Sequence, residues 1–96
     1  MASNFRISIH QNSDSLELKL MGDFDGTSAC ELLNAMKEKS AGVRRVFIHT
    51  DGLEDIYPFG QDTFQNSLYL LKDRPFRLVF TGEHATRIAP ERNKFF

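Results

Sequence analysis

Residues 43–50 read VRRVFIHT, an apolar strand; residues 61–73 read QDTFQNSLYLLKD, an amphipathic helix; residues 76–81 read FRLVFT, a second strand. Strand, helix-length connection and strand constrain a chain severely, because the two strands then pair in parallel through a right-handed crossover. Between the first strand and the helix lies TDGLEDIYPFG, Thr50–Gly60, with Gly52, the acidic pair Glu54 and Asp55, and the turn Tyr57-Pro58-Phe59-Gly60. A segment passing from a strand end to a helix start gathers backbone N–H groups and the positive end of a helix dipole. Open α/β sheets bind their ligands and partners at such points. Pro58 suits a first helical turn, where its missing N–H costs nothing. The helix is therefore expected from Tyr57 or Pro58 to Lys72, with Phe64, Leu68 and Leu71 as its apolar stripe and Asp73-Arg74-Pro75 as its stop.

A similar unit precedes this one. Phe5, Ile7 and Ile9 alternate with Arg6, Ser8 and His10, and Leu16, Leu18 and Leu20 alternate with Glu17, Lys19 and Met21, the period of half-buried strands. The polar turn Gln11–Ser15 joins them as a hairpin. Gly22-Asp23-Phe24-Asp25-Gly26 then breaks the second strand and opens a helix, capped by Asp25 or by Ser28, which forms a capping box with Glu31. Ala29, Leu32, Leu33 and Met36 mark one helical face, and Gly42 offers a left-handed residue at the helix end. The fold class is α/β: an N-terminal β-hairpin followed by βαβαβ units, giving a four-stranded mixed sheet with strands two to four parallel. In the order 1-2-3-4 the helices fall mainly on one face. The other face would carry Ser8, His10, Glu17, Lys19 and either Arg44 or Arg45, too polar for a second buried layer. Residues 1–96 read as a single domain, ending in a stretch, Glu83–Phe96, with one helical turn that Pro90 stops.

Net charge is −1, and charged residues make up 26% of the 96. This balance points to neither a nucleic-acid surface nor a basic membrane patch. Phe76-Arg77 and Arg6 give only a faint version of the aromatic–basic interleaving that single-stranded nucleic acid favours. Cys30 is the single cysteine, which leaves no disulfide framework and no cysteine-based metal site. The N-terminus lacks a signal-peptide pattern, and no apolar run approaches a membrane span, so a cytoplasmic protein is expected.

Two motifs together resemble the STAS domain, which anti-sigma factor antagonists share with the tails of sulfate transporters. Leu18–Asp25, followed by Thr27-Ser28-Ala29, is similar to the family's strand ending in Gly-acidic-x-Asp before its first helix. Val46–Leu53, then Ile56 and Gly60, is similar to the segment leading into its second helix, and Phe80-Thr81-Gly82 to the end of its fourth strand. The resemblance covers residues 5 to 88. It implies a non-catalytic protein-interaction module whose partner is an anti-sigma factor or an ATP-binding switch kinase. In the family, the turn before the second helix carries an Asp followed by a Ser or Thr that the kinase phosphorylates. The matching positions here are Tyr57, Pro58 and Phe59, and the latter two have no hydroxyl, so no phosphorylation site is carried over. Thr50, Tyr57 and Thr63 are neighbouring hydroxyls without a distinguishing pattern. The C-terminal elements read as shortened relative to the family, which leaves a sheet edge for self-association, with Phe95-Phe96 as candidates to pack against a second copy.

Asp23, Asp25 and Asp51 each follow a strand pointing the same way and, with His49, Glu54 and Asp55, form a notional metal or acid–base cluster. Turn and capping roles explain these residues better, because no ligand-spacing motif is present. Cys30 has no paired histidine in sequence and reads as a helix-flank or core thiol. Neither Gly-x-Ser-x-Gly nor a P-loop occurs, so no enzyme, cofactor or metal is expected. The expected partner-binding residues are Asp23, Asp25, Tyr57, Pro58, Phe59 and Gly60. Tyr57 and Phe59 either turn inward or form an exposed apolar lip, whereas Phe64 belongs to the core. Two other functions compete: a small-anion or nucleotide sensor using a helix N-terminus, and a homo-oligomeric structural subunit, a homodimer in its simplest form.

Overall fold

The computed structural model describes residues 4–71 and 74–89. β1 (Arg6–Gln11) and β2 (Ser15–Phe24) form the antiparallel hairpin, with Ile7 opposite Leu20 and Ile9 opposite Leu18. α1 (Gly26–Lys39) leads to β3 (Arg45–Ile56), and α2 (Pro58–Ser67) continues as a 3-10 turn, Leu68–Leu71. β4 (Arg77–Thr81) and a short α3 (Ala85–Ile88) complete the described chain. The sheet order is β1-β2-β3-β4, with β2, β3 and β4 parallel, so the four-stranded mixed sheet matches the expected topology.

The core lies between the helices and one face of this sheet. Leu16, Leu18 and Leu20 of β2 and Val46 and Ile48 of β3 are wholly buried against Leu32 and Met36 of α1 and Phe64 of α2. α1 and α2 pack side by side. Four phenylalanines run edge-to-face through this layer: Phe5 to Phe24 (centroids 5.9 Å apart), Phe24 to Phe64 (6.2 Å) and Phe64 to Phe80 (6.2 Å). Such pairs add roughly 0.5–1.5 kcal/mol each beyond their area burial. Ile9 points the same way as Ile7 but sits at the sheet's edge, where it stays 44% exposed.

Two boundaries differ from the sequence reading. β2 does not break at Gly22 but runs on to Phe24, which is buried and pairs with Ile56. β3 likewise continues through what reads as a loop, with Met21 opposite Gly52 and Gly22 opposite Leu53. Register shifts between Lys19 and Met21 and between Gly22 and Phe24 make this possible. Each irregularity resets which residues face the core, so Leu53 and Ile56 are buried at a spacing of three instead of two. The helix starts at Pro58 with Tyr57 as the residue before it, and Gly42 adopts the expected left-handed conformation (φ 75°). The α1 cap is Asp25, whose Oδ1 accepts from the Ser28 N–H at 2.9 Å. The Ser28 hydroxyl has Asp23 O (3.0 Å) and Asp25 Oδ1 (2.9 Å) as the two acceptors within reach of its single O–H, which places it in the turn instead of in a capping box with Glu31. Lys72, Asp73, Pro90 and Phe95-Phe96 lie outside the described residues.

Phe64 is the hub of the aromatic row, so Phe64→Ala should destabilise the protein by about 3–5 kcal/mol. Urea unfolding checks this: the midpoint should fall with the slope unchanged.

Candidate functional site

The carboxyl ends of β2 and β3 converge on the starts of both long helices. The Tyr57 N–H donates to Phe24 O at 2.9 Å, which ties the end of β3 to the end of β2 just before α2 begins. At the third residue of α2, Gly60 is buried against the same turn. A Cβ at Gly60 would lie 2.7 Å from Phe24 O and 2.8 Å from Asp25 Cα. Only a residue without a side chain lets the two backbones approach so closely. Asp23 Oδ1 accepts from the Asp55 N–H at 3.3 Å, a further link between the two strand ends.

On this platform Phe59 faces outward. It is 73% exposed, and Tyr57 is 47% exposed, so both belong to an apolar lip, while Phe64 is buried. The Phe59 ring lies across Gly26, where an added Cβ would come within 2.7 Å of it. Beside it is a shallow groove of about 530 Å³, lined by Asp25, Gly26, Thr27, Cys30, Phe59 and Thr63. Cys30 is an exposed thiol in that groove rather than a core residue. The residues expected from sequence to bind a partner lie close together: Asp23, Asp25 and Gly60 hold the turn, and Tyr57, Pro58 and Phe59 are exposed on it.

The notional metal or acid–base cluster is dispersed. Asp25 caps α1, Asp23 accepts from Asp55, and Asp51 Oδ1 accepts from the Glu83 N–H at 3.0 Å. His49 lies instead on the helix-free side of the sheet, with Nδ1 2.6 Å from Thr81 Oγ1 and Nε2 3.0 Å from Glu17 Oε1. Among the described residues no group of three or more His, Cys, Asp or Glu could hold a metal ion. The anion-sensor reading loses its first position too, because Asp25 already sets a carboxylate at the start of α1. Thr50 is buried: its hydroxyl donates to Thr81 O (2.7 Å) and accepts from the His84 N–H (3.2 Å), a structural role.

Sequence reasoning missed the glutamines that hold α3. Gln61 Nε2 donates to Arg87 O (2.8 Å), Gln65 Nε2 to Ala89 O (3.0 Å), and an Arg87 guanidinium N–H to Ile56 O (3.2 Å). The i, i+4 spacing of Gln61 and Gln65 places them on one helical face, and that was the available signal.

No family model and no curated protein matches the chain. Solved structures do. The unphosphorylated form of the anti-sigma factor antagonist SpoIIAA superposes with a TM-score of 0.57 at 12% identity, covering 90% of this chain and 84% of that one. The fold is STAS-like. An uncharacterised DUF3478-family protein from Shewanella loihica PV-4, described as having a SpoIIAA-like fold, matches with a TM-score of 0.52 at 20% identity, covering 86% of this chain and 74% of its own. A crystal structure of Mglu gives a TM-score of 0.68 at 20% identity over 88% of this chain, which spans only 20% of Mglu. At these identities the likeness concerns the fold. No helix among the described residues is long and apolar enough to cross a membrane.

The two glycines of the site should respond differently to alanine. Gly60→Ala forces backbone apart and should cost about 1–3 kcal/mol. Gly26→Ala meets only the movable end of the Phe59 ring and should change stability by less than about 0.5 kcal/mol. Parallel urea titrations of the two variants compare them directly.

Proposed function

We propose that the chain is a non-catalytic, STAS-like protein-interaction module of the anti-sigma factor antagonist type. Its docking surface is the turn before α2, where Asp23, Asp25 and Gly60 hold Tyr57, Pro58 and Phe59 in place. The partner is an anti-sigma factor or an ATP-binding switch kinase, in a cytoplasmic setting. The observation that carries this reading is the exposure of Phe59 on a rigid turn, 73% accessible beside a groove between two helix starts. Phe59 and Tyr57 are adjacent exposed aromatics, contiguous exposed apolar surface marks interaction sites, and aromatic anchors dominate the energetics of interfaces. Pro58 fixes the backbone and Gly60 clamps it, so little conformational entropy is lost when the lip docks.

The comparison with SpoIIAA supports the type of module, since that protein is an anti-sigma factor antagonist, seen there in its unphosphorylated form, and the resemblance implies a hydroxyl switch. The same switch has no counterpart at Pro58 and Phe59, neither of which carries a hydroxyl. Binding is therefore governed from the partner's side and is insensitive to phosphorylation at the usual position.

The test combines the protein with an anti-sigma factor or switch kinase from its own cell. Calorimetry should give a complex that Phe59→Ser weakens by about 30-fold or more, the loss expected of an interfacial anchor. The melting temperature of the variant should stay within a few degrees of the native protein. With ATP present, mass spectrometry should find no phosphate on residues 57–63. Stoichiometric phosphate there, or unchanged affinity for the Phe59→Ser variant, would refute the reading.

A further inference from the structure

The side of the sheet away from α1 and α2 has no covering element among the described residues, and its composition is unlike the rest of the chain. Arg6 of β1, Lys19 of β2, Arg45 of β3 and Arg77 of β4 are all exposed, and their neighbours Leu20, Val46 and Leu78 point into the core. Strand alternation therefore puts all four cations on the open side. Glu17 is a carboxylate among them, and it is engaged by His49. Asp51 follows His49 by two residues on β3, where its Oδ1 accepts from the Glu83 N–H, and four cations against these two carboxylates leave this side positive although the whole chain carries a net charge of −1. Among the described residues, no carboxylate forms an ion pair with any of the four.

Three details point to an anionic partner with flat rings. Arg45 and Arg77 are register partners on neighbouring strands. Like charges so placed repel, and the fold gains nothing from them. At the centre of the same side, on β3, the Phe47 and His49 rings are half-buried and stacked, 5° from parallel with centroids 6.3 Å apart. Parallel strands are normally covered on both faces, yet these rings meet solvent. Next to them, Ser8, His10, Glu17 and Lys19 line a polar depression of about 400 Å³, which offers both donors and acceptors.

We propose that this open sheet face binds single-stranded RNA. Neighbouring strands lie about 4.8 Å apart and each residue advances about 3.3 Å, so the four cations outline a patch of roughly 14 by 20 Å. That is the size for a few nucleotides. Arg45 and Arg77 take phosphates at one end, and Lys19 and Arg6 continue the track. The Phe47–His49 pair provides the stacking platform that exposed bases use. Glu17 would repel a phosphate but accepts a hydrogen bond from a ribose 2′-hydroxyl, which favours RNA over DNA. The face lies across the sheet from the Phe59 lip, and the proposal is independent of that docking role.

The experiment is fluorescence anisotropy with a short labelled single-stranded RNA of mixed sequence, the DNA of the same sequence, and an acidic poly-glutamate peptide. Four phosphate contacts predict a loss of about 50-fold in RNA affinity between about 50 and about 200 mM salt. Arg45→Gln with Arg77→Gln should roughly halve the slope of that salt dependence. Phe47→Leu, which keeps apolar bulk without the ring, should weaken binding by about 5-fold or more. Phe59→Ser should leave RNA binding unchanged. Lys19→Gln with Arg6→Gln, at two other exposed positions, gives a second reading of the slope should the first pair disturb folding. Absence of RNA binding by the folded protein at low salt overturns the proposal. So does DNA or peptide binding as tight as RNA, or indifference to both pairs of substitutions.

Discussion

At Gly60 the backbone of α2 touches the turn at the end of β2 with no room for a side chain between them. Much of the architecture depends on this contact. It sets the height at which α2 starts and so the depth at which Phe64 enters the core between Phe24 and Phe80. It brings the first turns of α1 and α2 together, which creates the groove. It also leaves Phe59 with no interior to occupy, because the space beneath it is filled by Gly26 and the turn. The exposed lip is thus a geometric result of a backbone contact on the buried side of the same helical turn.

Where residues obey a single period, the fold was legible in the sequence. Leu16, Leu18 and Leu20, and Val46 and Ile48, repeat every second residue, and the strands they define pair in the expected order. The extension of β3 to Ile56 was hidden because pairing irregularities change the period midway, and the glycine and acidic residues there look like a loop. The meeting of strand ends and helix starts at the Tyr57–Gly60 turn was readable, since topology brings them together. The orientation of Tyr57 and Phe59 was not. Aromatic residues at the first turn of a helix can face either way, and only the packing of Gly26 and Gly60 decides it. Long-range side-chain bonds, such as those from Gln61 and Gln65 to α3, leave almost no local trace.

The two sides of the sheet answer to different physics. The helix side is organised by burial and close packing, and its exposed feature is apolar and small. The open side is organised by charge and hydrogen bonds: His49 bridges Glu17 of β2 and Thr81 of β4 from its place on β3. That bridge draws three strands together where no helix covers them. A whole-chain charge near neutrality conceals this separation, because the cations are spread one to a strand and converge only when the strands align.

The row of phenylalanines also bears on how the chain reaches this structure. Its members lie at positions 5, 24, 64 and 80, so consecutive contacts join segments far apart in sequence. Phe24 is not enclosed until α2 arrives, and Phe64 is not enclosed until β4 is in register. The hairpin can form early, yet its apolar face is not fully covered until both long helices have been made. Loop closure over such separations must precede the reward of packing, which slows folding relative to a helical bundle of this size. On the ribosome, the hairpin therefore waits with its hydrophobic face open for α2 and β4, which emerge after it.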